Sequence, residues 1–177
     1  MRLSLLAVAA TVALSACGTS RTTTESMAEG PKAVAMLEPT TAGKASGTVS
    51  FVQKGDKVLV VANVQGLTPG AEHGFHIHET PDCSGDGMKA GAHFNPDANP
   101  HGHPGQAQRH AGAMFNLKAD SNGVATFKQE VDLITLTEGK YNVIGKPVIV
   151  HARADDYVSQ PLGNAGGRIA CGLIVKR

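Results

Sequence analysis

Tryptophan is absent from the 177-residue sequence and aromatic residues make up only 4% of it, whereas there are 21 Gly and 9 Pro. That balance argues against long helices and for short strands joined by many turns. A surplus of either charge is missing too. Lys and Arg total 16 against 15 for Asp and Glu, so nothing points to nucleic acid or an acidic macromolecule as a partner. No internal repeat is present, and no apolar run is long enough to span a bilayer comfortably. The chain suits one hydrophobic core of ordinary size.

The longest apolar run, Leu3 to Leu14, follows Arg2 and reads as an export signal. It ends in Leu14-Ser15-Ala16-Cys17, which resembles the bacterial lipoprotein signal, where cleavage precedes an acylated Cys. The expected boundaries are a signal over 1–16, a flexible tether over 17–32 and one domain over 33–177. Cys17 would be the lipid anchor and the location the periplasm or cell envelope. An ordinary secretory peptide with an incidental Cys is the alternative, and it also places the domain outside the cytoplasm. Setting Cys17 aside leaves Cys83 and Cys171, an even pair in an exported domain, where a structural disulfide is expected over two free thiols.

Residues 45–64 contain two β-rich runs around Lys54-Gly55-Asp56-Lys57 and predict a hairpin. A third strand is expected over Glu72 to His78, with Phe75 and Ile77 on the core face and His76 and His78 on the other. From Glu79 to Arg109 there is no periodicity of either kind, and so long a loop in a compact domain is usually functional. Strands are then expected over His110 to Leu117, Val124 to Val131, Val148 to His151 and Arg168 to Val175, with a second irregular loop over 152–167. The resulting fold class is all-β: an eight-stranded Greek-key barrel or sandwich with two long functional loops.

The 8 His residues lie almost entirely in or beside those loops: His73, His76, His78, His93, His101, His103, His110 and His151. Clustered imidazoles suit copper or zinc, and the lack of a thiol cluster argues against a blue-copper electron-transfer site. The segments Gly74-Phe75-His76-Ile77-His78-Glu79, Ala90-Gly91-Ala92-His93-Phe94-Asn95-Pro96 and Gly163-Asn164-Ala165-Gly166-Gly167-Arg168-Ile169-Ala170-Cys171-Gly172 together resemble the Cu,Zn superoxide dismutases. The resemblance runs from about Ala33 to Val175. The five-residue step from His78 to Cys83 is similar to the bacterial branch.

The resemblance implies copper on His76, His78, His93 and His151, with His93 bridging to zinc held by His93, His101 and His110. It implies that Asp155 hydrogen-bonds one histidine of each set, that Cys83 and Cys171 form the family disulfide, and that Arg168 attracts superoxide above copper. The rival for Arg168 is a surface ion pair. His93 would act as ligand and acid while two superoxide anions become oxygen and hydrogen peroxide. The family's zinc Asp falls here on Ala113, so zinc occupancy is in doubt. His103 is a candidate replacement, weighed against a solvent-exposed side chain, and His73 is expected to hydrogen-bond structurally. The short loop between His151 and Arg168 leaves open where steering charges sit. Expected partners are superoxide and, through Cys17, the membrane; a homodimer is left open. The rival functions are a copper-storing or delivering surface lipoprotein without catalysis, and a structural lipoprotein that presents its barrel to a partner.

Overall fold

The structure, a computed structural model, describes residues 30–177; the signal, Cys17 and most of the expected tether lie outside the described residues. Among the described residues, ten strands and a single 3-10 turn account for the regular structure. β1 (Lys32–Pro39), β2 (Ser46–Lys54) and β3 (Lys57–Gln65) form a meander, and β7 (Ala125–Val131) pairs with β3. On the other side of β1 come β9 (Arg168–Leu173), β8 (Pro147–His151) and β5 (Phe75–Ile77). All named pairs are antiparallel, and the sheet curls into a half-barrel. The short strand β10 (Val175–Lys176) pairs with β1, while β4 (Glu72–His73) and β6 (Leu117–Lys118) form a separate two-stranded ribbon.

The meander obeys the alternation read from its sequence. Val58, Val60, Ala62 and Val64 are buried along β3, as are Val49 and Phe51 on β2, because every second side chain faces the same core. The expected hairpin turn falls at Gly55, whose φ of 59° lies in the left-handed region that glycine adopts without penalty. Phe75 and Ile77 enter this core as expected, and Phe75 meets Phe127 edge to face at 5.2 Å.

The outer face of β5, β8 and β9 is covered as well. There Ile149 and Cys171 pack with Ala90 of the 3-10 turn (Met88–Ala90), so this part of the first long loop lies on that face, and the histidines there are buried.

Three expected strands need correction, the first being Arg168 to Val175, which ends at Leu173 and leaves Val175–Lys176 as a separate strand on β1. Glu72 to His78 is split at Gly74, where a Cβ would stand 2.8 Å from Ala165 Cβ and 3.1 Å from His76 Cε1. The expected strand over His110 to Leu117 shrinks to Leu117–Lys118. Gly112 and Ala113 are instead held by single contacts to β5, through Ile77 N–H to Gly112 O at 2.9 Å and a bridge between His76 and Ala113. The apolar pattern there reflects burial under β5 rather than a continuous ladder.

Candidate metal centre

The strand pattern puts His76 of β5 and His78, just beyond its end, on the outer face, and β8 ends beside them with His151. A register shift between Val150 and His151 aligns His151 with Arg168 across β8 and β9. Such an irregularity re-aims a side chain at the end of a ladder. Residues 79–109 supply His93 and His101, and the next turn supplies His110.

Two groups result, and they share one ring. The potential ligand atoms of His76, His78, His93 and His151 lie within 4.8 Å of one another, as do those of His93, His101 and His110. All six rings are buried.

Hydrogen bonds decide which nitrogen of each ring faces its cluster. His78 Nδ1–H donates to Gly91 O at 3.0 Å and His151 Nδ1–H to Gly166 O at 3.1 Å. Their Nε2 atoms then point at each other across 3.3 Å with lone pairs free. Asp155 links the two groups: Oδ2 accepts from His76 Nε2 at 2.7 Å and Oδ1 from His101 Nε2 at 2.9 Å. That leaves His76 Nδ1, His101 Nδ1 and His93 Nε2 buried with no hydrogen-bond partner. His93 Nδ1 lies 3.2 Å from His110 Nδ1. Buried nitrogens without partners are costly unless something else satisfies them. Converging lone pairs at these spacings fit metal ions held by imidazole, with a carboxylate orienting rings from behind.

The backbone at 163 fits this carboxylate closely. A Cβ there would stand 1.8 Å from Asp155 Oδ1 and 2.6 Å from His101 Nε2, and φ is +66°, so only glycine fits. Tyr157 N–H and the side chain of Asn116, which pairs with the Asp155 backbone, hold the acid from the other side.

Burial pushes His78 and His93 well below the usual imidazole range, aided by the neighbouring imidazoles. It lowers His151 to about 3 and His110 to about 4. His76 is lowered by burial despite the opposing pull of Asp155. The rings are therefore neutral at pH 7 and their lone pairs are available. In an unfolded chain the same imidazoles take protons near pH 6.5. Between that pH and the folded values the unfolded state binds more protons, so lowering the pH through this window destabilises the fold. The melting temperature of metal-free protein should fall steadily from pH 6.5 to 4.5, where exposed carboxylates contribute little. A flat profile over that range would contradict the burial of the histidines.

Cys83 and Cys171 are disulfide-bonded as expected. The bond pins the loop whose carbonyls hold Arg168: Nη1 donates to Gly87 O and to Met88 O (3.2 Å), and Nη2 to Gly91 O (2.5 Å). Arg168 is thus a fixed cation bonded to carbonyls rather than to an acid, and the surface ion-pair alternative fails. Beside it is a cavity of about 350 Å³ lined by His151, Arg168, Arg153 and Met88 among others, with no carboxylate on its wall. Sequence reasoning missed Arg153, which is held by Asn164 O and Oδ1 and adds a second guanidinium to the mouth. It also missed the two-point bond of the Gln160 amide to the His101 backbone. Neither stands in a pattern that periodicity or residue type would flag.

His103 is neither a ligand nor free in solvent. Its Nδ1 accepts Gly105 N–H at 3.0 Å and its ring packs edge-on against Phe115 and Tyr157. His73 is structural, its Nδ1–H donating to His151 O at 2.8 Å.

An all-β domain with two buried histidine clusters sharing one ring, beside a cavity that Arg153 and Arg168 line, has ligand sets for two adjoining metal ions. The family described as copper/zinc superoxide dismutase (SODC) matches residues 45–174. The chain is also 39% identical over 162 residues to the superoxide dismutase [Cu-Zn] of Paramecium bursaria Chlorella virus 1, an overlap covering 88% of this chain and 84% of that relative. The chain belongs to the copper/zinc superoxide dismutase family; its activity is copper-dependent dismutation of superoxide, with copper and zinc the expected cofactors.

Proposed function

We propose that this enzyme works outside the cytoplasm as a member of the exported bacterial branch, lipid-anchored through Cys17 and removing superoxide at the cell envelope. His76, His78, His93 and His151 hold copper, and His93, His101 and His110 form the second site. The observation that carries the assignment of ligands is the convergence of buried ring nitrogens, of which His76 Nδ1, His93 Nε2 and His101 Nδ1 have no hydrogen-bond partner and two pairs face each other at 3.3 and 3.2 Å.

Copper supplies a one-electron couple, so that one superoxide is oxidised to oxygen and the next, with two protons, is reduced to hydrogen peroxide. The protein does the rest. Arg168, with its guanidinium fixed by three carbonyls, draws the anion toward His151 and orients it there. Arg153 adds to the field at the entrance. His93 Nε2 is the nitrogen able to hold a proton beside the reacting anion. Burial keeps its basicity low, so a proton held there is readily given to a peroxide oxygen. Asp155 keeps His76 and His101 in fixed tautomers throughout.

Expressing the full chain and its Cys17→Ser variant in a Gram-negative host tests the location. Dismutase activity should sediment with membranes for the wild type and move to the soluble extracytoplasmic fraction for the variant. Activity in the cytoplasmic fraction for both would overturn the reading.

A further inference from the structure

The second cluster lacks something that structural zinc requires. Closed zinc sites use four ligands in a tetrahedron. Here three imidazole nitrogens converge, and among the described residues no carboxylate or thiolate joins them. Position 113, three residues beyond His110 and 1% exposed, carries only a methyl group. Among the described residues no acid nearby is free to swing in. Asp155 spends Oδ2 on His76 and Oδ1 on His101 and on Tyr157 N–H. Glu79, Asp82, Asp86 and Asp97 on the first long loop, and Asp156 on the second, each hold partners of their own. His103, the one further imidazole close by in sequence, is turned away between Phe115 and Tyr157.

We propose that this second centre is a nitrogen-only site that takes copper in preference to zinc, so that protein supplied with both carries two copper ions joined through the His93 ring. The inference rests on the reading of His76, His78, His93 and His151 as the first copper site. Three nitrogens can seat one ion: the 3.2 Å between His93 Nδ1 and His110 Nδ1 is close to the roughly 3.3 Å that two imidazole ligands span on a tetrahedral ion. What they cannot do is offset a divalent charge in a buried place or fill the fourth vertex. Without an anionic oxygen ligand, zinc loses its closed tetrahedron. Imidazole suits both metals, and the intrinsic order of divalent affinities places copper above zinc, so nothing in this donor set opposes copper. One ring joining both ions also makes them magnetically coupled.

The test equilibrates metal-free full-length protein with equal excesses of Cu(II) and Zn(II), removes unbound metal, and reads stoichiometry by mass spectrometry and coupling by electron paramagnetic resonance. Two copper ions per chain are expected, with copper favoured over zinc at the second site by at least about tenfold. The signal of singly loaded protein should give way to a coupled one as the second site fills. His110→Ala should lose the second copper and keep the first signal, and Ala113→Asp should move the second site toward zinc. One copper and one zinc per wild-type chain would overturn the proposal while leaving the first site intact. A first copper whose signal is unchanged in His78→Ala would instead overturn the ligand assignment on which the bridged centre depends.

Discussion

Replacing His78 or His151 with alanine will remove copper-dependent dismutation, with activity per chain falling by at least about 100-fold. Even the loss of a group that only orients a ligand costs metal affinity roughly 10- to 100-fold, and here a ligand itself is deleted. Each of these rings has its Nδ1–H tied to a backbone carbonyl, so its Nε2 is committed to the cluster and no other nitrogen can replace it. The substitutions should leave His101 and His110 in place, since these are held by Asp155, Gln160 and the Asn99 backbone. Copper content and superoxide decay are to be measured together, with circular dichroism to establish that the barrel persists. Variants that keep more than half the activity per chain would refute the assignment.

Removing the disulfide will have the second large effect, and it will reach both stability and turnover. Cys83 and Cys171 are 88 residues apart, and a cross-link closing such a loop stabilises by roughly 4.5 kcal/mol in the chain-entropy model. For a domain of this size that corresponds to a drop in melting temperature of roughly 10–20 °C. The double variant Cys83→Ser, Cys171→Ser should show it by calorimetry. Turnover suffers because the released segment carries Gly87, Met88 and Gly91, the carbonyls that hold Arg168. Gly91 O also accepts from His78 Nδ1–H, so one loop sets both the anion-attracting group and a ligand tautomer. Activity per bound copper should fall several-fold and lose much of its dependence on ionic strength. A variant as stable and as fast as the wild type would show that the bond merely decorates a loop held by its own contacts.

Legibility from sequence followed the range of the interactions. The β2–β3 hairpin, the core positions of Phe75 and Ile77 and the end-of-strand place of His151 were readable because alternation and turn chemistry are local. The clustering of the histidines in two loops pointed to metal, and the resemblance to a known family supplied the roles of Asp155 and of the cysteine pair. The strand expected over His110 to Leu117 was not readable as what it is, because single contacts to β5 bury it without a ladder. Gly163 opens one of the segments that carry the family resemblance, but its fit against Asp155 and His101 depends on contacts between residues distant in the chain. The two-sided burial of β5, β8 and β9 comes likewise from loops folding over them, which strand periodicity does not encode.

The central claim is that the four-histidine cluster beside Arg168 turns bound copper over with superoxide. The most direct measurement is the decay of superoxide generated by pulse radiolysis, followed as copper is added stepwise to metal-free protein. The rate should rise in proportion to copper up to the first equivalent and fall with added salt, as attraction of an anion by Arg168 and Arg153 requires. Tight uptake of that first copper with no acceleration of superoxide decay would contradict the account and leave a copper-binding protein without catalysis.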